Sequence, residues 1–397
     1  MARVCMVLLN DYMGDSRVRR EAEALVERGD TVDCICLSER KFDSLRGVRL
    51  LYPALNKYRG TSRTFLMLRY VQFFFYAFLK LSLEHLRKPY DIVQVHTMPD
   101  FLIFTALIPK LLGARLVLDI HDLMPELYVA KYGLSRSKWM VRFITWIERR
   151  SVAFADRAIA VHKPHLDALI AHGNPRAKFS MLLNVPDNRI FARPPAVQPG
   201  GNAFTVLYHG TMPRRAGLDI ALRAVARIRR DIPEIRFRLV GRGESLHELR
   251  TLAGELNITD CVSWQAGVPV DQLPEIILGA NVGIVPYRSD AFTQYVLPTK
   301  LMEYVAMGVP AVVSRLPAVE AYFDPGMVAY FEPGDEAGLA QQIVNLYRNP
   351  ELARQYVARA AQFTETYNWP QQRQVYCRLI DSLSEGRRFF VNANLKG

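Results

Sequence analysis

Short apolar runs, each about the length of a buried strand, alternate along this chain with stretches whose apolar positions recur at helical spacing. In the first half the runs fall at 4–9, 31–37, 92–96, 115–119 and 158–161. Between them Val18, Ala22, Leu25 and Val26 share one helical face, as do Phe143, Ile147 and Arg150 with Ile144 beside them. Strand followed by helix, repeated, predicts a doubly wound parallel sheet. The alternation breaks at Arg193-Pro194-Pro195-Ala196-Val197-Gln198-Pro199-Gly200-Gly201-Asn202, which has the composition of a linker. It restarts with strands at 205–209, 236–240, 262–265 and 282–285 and helices at 218–230 and 246–256. The expected architecture is α/β, two Rossmann-like doubly wound domains facing a cleft: residues 1–192, a linker at 193–203, and 204–368. A tail at 369–397 keeps helical spacing at Val375, Leu379 and Leu383.

A length of 397 residues agrees with two cores, and 50% hydrophobic with 23% charged residues is ordinary for globular domains. The net charge of +12 asks for an anionic partner: nucleic acid, an anionic membrane surface or a phosphorylated substrate. No nucleic-acid module is recognised, and the basic residues are dispersed, so nucleic acid is not expected. The cysteines at 5, 34, 36, 261 and 377 lack zinc-ligand spacing and read as small buried side chains in a reducing, cytoplasmic compartment. The start runs straight into a polar loop and reads as a first strand, not a signal peptide. Residues 65–83 hold Phe73-Phe74-Phe75-Tyr76-Ala77-Phe78-Leu79 but are interrupted by Arg69, Gln72 and Lys80, which disfavours spanning. Flanked by Lys57, Arg59, Arg63, Arg87 and Lys88, this helix is either part of the first core or a peripheral contact with the inner face of the cell membrane.

The richest stretch for chemistry is Leu297-Pro298-Thr299-Lys300-Leu301-Met302-Glu303-Tyr304, a loop and short helix with Lys300 and Glu303 on one face. A Gly308-Val309-Pro310 turn and the strand Ala311-Val312-Val313-Ser314 follow. The helix start near Thr299 offers free N–H groups and a positive dipole end to nucleotide phosphates. Glu303, a turn later, is placed to accept both ribose hydroxyls; otherwise it is a surface residue paired with Lys300. In the loop 10–16, Gly14 lets backbone approach a ligand or simply turns, and Asp15 or Ser16 caps the next helix. Arg17, Arg19 and Arg20 read as a solvated face. His121 and Asp122 follow the strand ending at Asp119, where ligands of open α/β sheets gather, and His96 ends another strand in a similar place. His96 either lines a ligand site there or merely closes its strand. In the second half Gly210 allows a turn beside a diphosphate, and Arg214 and Arg215 offer fixed donors to phosphate oxygens. Gly241 and Gly243 form a Gly-x-Gly turn that lacks the third glycine of a dinucleotide fingerprint. No Asp-x-Asp metal motif is present.

Taken together, these motifs resemble the family 4 glycosyltransferases of the GT-B fold, in a branch with a Pro-Thr-Lys-x-x-Glu-Tyr pattern. The resemblance covers both halves and is strongest from Val206 to Ser314. It implies a retaining, metal-independent hexosyltransferase needing no cofactor, which moves a sugar from a nucleotide sugar, by expectation a UDP-sugar, to a glycan or lipid-linked acceptor in polysaccharide or glycoconjugate synthesis. The resemblance places the catalytic roles on His121, Arg215 and Glu303. It also places Gly14, Gly210, Arg214, Gly241, Gly243, Pro286, Thr299 and Lys300 at the donor, and Asp15, His96 and Asp122 toward the acceptor. The final helix is expected to cross back to the first domain. Two departures stand out. Ala216 replaces the usual lysine of the basic pair, and Tyr295 stands where many members carry a second glutamate. A nucleotide-sugar epimerase on the same fold and a noncatalytic nucleotide-sugar or membrane-binding subunit are the competing readings.

Overall fold

A computed structural model describes residues 1–37, 42–54, 63–133, 135, 138–193 and 203–394. The chain divides into two compact units: Met1–Asn184 together with Gln371–Gly397, and Val185–Pro370. The division falls ahead of the Pro-rich stretch, so residues 185–192 belong with the second unit. Of the expected linker, residues 194–202 lie outside the described residues, as do Lys57 and Arg59.

In the first unit the strands are β1 (Arg3–Asp11), β2 (Thr31–Leu37), β3 (Ser44–Leu45), β4 (Val48–Leu51), β5 (Ile92–His96), β6 (Arg115–Asp119), β7 (Arg157–Ala160) and β8 (Phe179–Met181). They form one sheet in the order β3-β4-β2-β1-β5-β6-β7-β8. Only the β3–β4 pair is antiparallel, so the first sheet is mixed at one edge. Val4, Met6 and Leu8 of β1 pack with Val18, Ala22 and Leu25 of the helix Ser16–Glu27 to form the core. To this core the helix Trp369–Asn394 adds Tyr376, Leu379, Ile380 and Leu383. Burying both faces of parallel strands explains why most positions of these runs are apolar, without strict alternation.

The second unit contains β9 (Phe204–His209), β10 (Ile235–Val240), β11 (Val262–Gln265), β12 (Val282–Val285), β13 (Ala311–Ser314) and β14 (Ala329–Phe331). Their order is β11-β10-β9-β12-β13-β14, and each pair is parallel. The helix Leu218–Ile228 buries Leu218, Ala221, Leu222 and Val225 against this sheet. In both sheets the strand order reverses beside the first strand of the unit, between β1 and β5 and between β9 and β12. Such reversals leave a crevice outside the carboxyl ends of the strands, which is where ligands of doubly wound sheets bind.

The helix Arg63–Arg87 spans the aromatic stretch at 65–83. Phe73, Ala77 and Leu81 are fully buried, while Phe75, Leu79 and Leu83 stand exposed. It is therefore a core helix on one face and a surface helix on the other along its length.

Candidate functional site

In the first unit the strand register assembles a polar cluster at the reversal. Parallel pairing sets Leu8 beside His96 and His96 beside Asp119. The Asp119 carboxylate, wholly buried, meets His96 Nδ1 and His121 Nε2 through one oxygen, each at 3.0 Å. Its other oxygen accepts from the Arg17 guanidinium, which also donates to Glu21 at 3.1 Å. Behind them Gln94 Nε2 donates to Glu21 at 2.7 Å, and the Tyr376 hydroxyl donates to Gln94 Oε1 at 2.7 Å. Burial opposes the charge on Asp119, but Arg17 and His121 outweigh it and hold the carboxyl well below the usual range. Burial likewise works against a charged His121, and Asp119 reverses the balance and raises it. The outcome is a ring held by an ionised acid, with its backbone N–H bound to Thr97 Oγ1 at 3.1 Å.

His121 opens onto a pocket of about 340 Å³, lined also by Asn10, Asp15, Arg69, Tyr70, Thr97 and Asp122. The three residues expected toward the acceptor thus part ways. Asp15 and Asp122 line the pocket, whereas His96 is fully buried behind His121. Asp15 also caps the helix Ser16–Glu27 by accepting from Val18 N at 3.2 Å. Gly14 sits exposed in the preceding turn, its N–H bound to Asp11 O at 3.1 Å. The arginines expected to be solvated are buried instead. Arg17 enters the cluster, Arg19 lies 3.7 Å from Glu23, and Arg20 donates to Asn184 at 2.8 Å. Ligand atoms of His96, Asp119 and His121 all lie within 4.8 Å of one another, close enough for a metal ion. The Arg17 guanidinium on the same carboxylate already supplies positive charge there and opposes a second cation.

The second unit builds its site from the loops after β9, β10 and β12. Gly210 N donates to Val240 O and Gly241 N to Gln265 O, both at 2.9 Å, so the loops lie backbone against backbone. A Cβ on Gly241 would stand 1.8 Å from Gly210 O, and one on Gly243 would stand 2.4 Å from Met212 O. These two glycines are required by loop packing before any ligand is considered. Pro286 is buried after β12, and its carbonyl meets Gly217 at the start of the helix Leu218–Ile228.

Lys300 is not a surface partner of Glu303. It is buried in the helix Thr299–Ala306, its Nζ donates to the Tyr287 hydroxyl at 2.8 Å, and it lies 4.8 Å from the Tyr208 ring centroid. Burial works against its charge, but the two phenol oxygens offset this and raise its affinity for the proton. A Cβ on Gly210 would be 3.5 Å from Lys300 Nζ, which puts the ammonium directly beneath the Gly210 turn. Thr299 is exposed at the helix start. One helical turn on, Glu303 Oε2 lies 3.4 Å from His209 Nε2. Burial first and Lys300 second push His209 down to about 3, so the ring is neutral near pH 7. Arg215 is half-buried with its guanidinium 5.4 Å from the Phe292 ring, and Arg214 is exposed. Among the described residues neither arginine has an acidic partner. Arg288, by contrast, is bound to Asp219.

Tyr295 ends the short turn Thr293–Tyr295, half-buried. Asp290 fixes that turn by accepting from Phe292 N at 2.8 Å and Thr293 N at 2.7 Å. Asp119 and His209 are not among the residues expected at the site, and Arg17 is expected on a solvated face. Asp119 is the acid that closes an apolar run two residues before His121 in Leu118-Asp119-Ile120-His121, at the carboxyl end of the strand, a signal present in the sequence.

Residues 15–184 match the family model described as glycosyl transferase 4-like domain, and residues 203–349 match that described as glycosyl transferases group 1. A D-inositol 3-phosphate glycosyltransferase of Acidothermus cellulolyticus is 30% identical over 171 residues, 40% of this chain and 37% of that protein. A GDP-mannose-dependent alpha-(1-6)-phosphatidylinositol monomannoside mannosyltransferase of Mycolicibacterium smegmatis is 30% identical over 118 residues, 29% of this chain and 31% of that protein. In both cases the matched stretch spans less than half the length of the relative. Among solved structures, Anabaena Alr3699/HepE in complex with UDP-glucose superposes with a TM-score of 0.74 at 14% identity, covering 96% of this chain and 100% of that one. The fold is GT-B, and within it residues 15–184 are similar to a glycosyl transferase 4-like domain and residues 203–349 to a glycosyl transferases group 1 domain.

Proposed function

We propose that this chain transfers a sugar from a nucleoside diphosphate sugar to a hydroxyl of a phosphate-bearing polyol or lipid-linked glycan acceptor, with retention of anomeric configuration. The observation that carries the reading is the group at the reversal of the second sheet: Lys300 beneath the Gly210 turn, Arg215 without an acidic partner, and Glu303 one helical turn beyond Thr299. Positive charge and free N–H groups there suit a diphosphate, and the carboxylate suits ribose hydroxyls. Bond cleavage builds negative charge on the departing diphosphate, so Arg215, Lys300 and the helix start would lower the barrier by preorganised attraction.

His121, held by Asp119 and open to the pocket with Asp15 and Asp122, is assigned to a hydroxyl of the transferred sugar, and the two acids to the acceptor. The departing phosphate then helps deprotonate the acceptor, without a metal. UDP is the nucleotide favoured by the neighbour solved with UDP-glucose, whereas one relative is named for GDP-mannose, so both are tested. Relatives named for inositol 3-phosphate and phosphatidylinositol monomannoside support an acceptor carrying phosphate. The matches to both halves are to transferases, and the epimerase reading finds no support among them. A cytoplasmic location agrees with free cysteines at 5, 34, 36, 261 and 377.

The test is calorimetric titration of UDP and GDP into the wild-type protein and Glu303→Ala. One nucleotide should bind, and the variant should bind it about tenfold or more weakly while melting normally, as loss of a charged hydrogen-bond acceptor implies. Equal affinity in the two proteins would remove the ribose assignment.

A further inference from the structure

We propose that the outward faces of the helices Arg63–Arg87 and Trp139–Phe154 dock on an anionic lipid bilayer. The first helix is about 37 Å long at 1.5 Å per residue. Along it Leu68, Val71, Phe75, Leu79, Leu83 and Leu86 form an exposed stripe at helical spacing, opposite the buried Phe73, Ala77 and Leu81. The second helix exposes Trp139, Phe143 and Trp146, with Trp139 at 75% of its full exposure. The two helices are neighbours through the segment Asp100–Ala106: Phe74 packs on Phe101 at 5.9 Å, and Phe104 packs on Phe154 at 5.1 Å.

Charge identifies the occupant. Each helix contains one acidic residue, and each turns it inward. Glu84 accepts from Arg49 at 2.6 Å and Lys80 at 2.9 Å. Glu148 accepts from Asn174 at 2.7 Å and meets His172 at 3.0 Å. The outward faces therefore present aromatic, aliphatic and basic groups with no carboxylate. Arg142 and Arg149 line an open groove of about 820 Å³ with Trp139, Phe143 and Trp146, and Arg150 lies 5.6 Å from the Trp146 ring. None of these three arginines has an ion-pair partner among the described residues. Tryptophan rings at headgroup depth, guanidinium groups on lipid phosphates and an apolar stripe below are the composition of an interfacial surface. Spanning is disfavoured, because the opposite face of the first helix is committed to the core of the unit. This surface lies on the first unit and does not depend on the donor assignment in the second.

The test is flotation of the full chain with vesicles of phosphatidylcholine alone or with about 30% phosphatidylglycerol, at low and high salt. Wild-type protein should float with the anionic vesicles only, and high salt should release it. Combined Trp139→Ser, Phe143→Ser and Trp146→Ser, and separately Arg142→Glu with Arg149→Glu, should each lower the bound fraction about tenfold. Nucleotide affinity, melting and sedimentation as a monomer should be unchanged, because the altered residues are solvent-facing. Equal flotation with neutral vesicles, or variants that float like the wild type, would overturn the proposal. So would a protein that never floats but self-associates until these residues are changed, which would make the face an interface between copies of this chain. A failed flotation with intact nucleotide binding leaves the transferase reading standing, and the reverse outcome leaves the surface standing.

Discussion

Asp119 is the residue on which the first-unit cluster turns, since one buried carboxylate holds Arg17, His96 and His121 together. In Asp119→Asn the charge that raises His121 is gone, so its proton should be lost at lower pH than in the wild type. An NMR titration of the imidazole protons checks this; an unmoved His121 midpoint would show that the carboxylate is only structural. His121 and Glu303 were visible in the sequence because each follows a strand or a helix start in a recognisable motif. Arg17 and His209 were not. Three arginines on a helix ordinarily face water, and the partners that bury Arg17 and Arg20, namely Asp119 and Asn184, lie far away in sequence. His209 looked like the last residue of a strand, and only the fold brings Glu303 to 3.4 Å from it.

Among the elements, one device ties three helices by a single ring. His172 follows the helix Lys163–Ala171, and its two nitrogens meet Glu126 of Met124–Tyr132 and Glu148 of Trp139–Phe154, each at 3.0 Å. Burial opposes the charge, but these two acids raise the imidazolium from 6.5 to about 10. A raised folded-state value means the contribution is complete below pH 6.5 and is lost as pH climbs through 10. Melting temperature should therefore fall across that window, and His172→Gln should flatten the decline; calorimetric scans at several pH values check it. At the helix Ser16–Glu27, Asp15→Ala removes the cap and should cost about 1 kcal/mol, measured by denaturant unfolding. Long apolar runs such as 31–37 and 92–96 were legible end to end, because parallel strands buried on both faces need no alternation. The short β3, β8 and β14 were not, since two or three residues carry too little pattern to separate from a loop. Tertiary contact, not local preference, makes them strands.

For the whole molecule, the excess of 51 basic over 39 acidic residues was plain in the composition but had no address. The structure gives it two. Some arginines lie buried in pairs, as Arg17 does with Asp119, while among the described residues Arg142, Arg149 and Arg150 on the first unit and Arg214 and Arg215 on the second have no acidic partner. Only the unpaired ones are available to anionic ligands. The most direct measurement of the central claim is nucleoside diphosphate release from a panel of nucleotide sugars, with and without phosphorylated polyols and lipid-linked glycans as acceptors. The account predicts release from one donor class only when an acceptor is present, in chelator-treated buffer, and its loss in Glu303→Ala. Acceptor-independent conversion of the donor, or tight donor binding with no turnover on any acceptor, would contradict it.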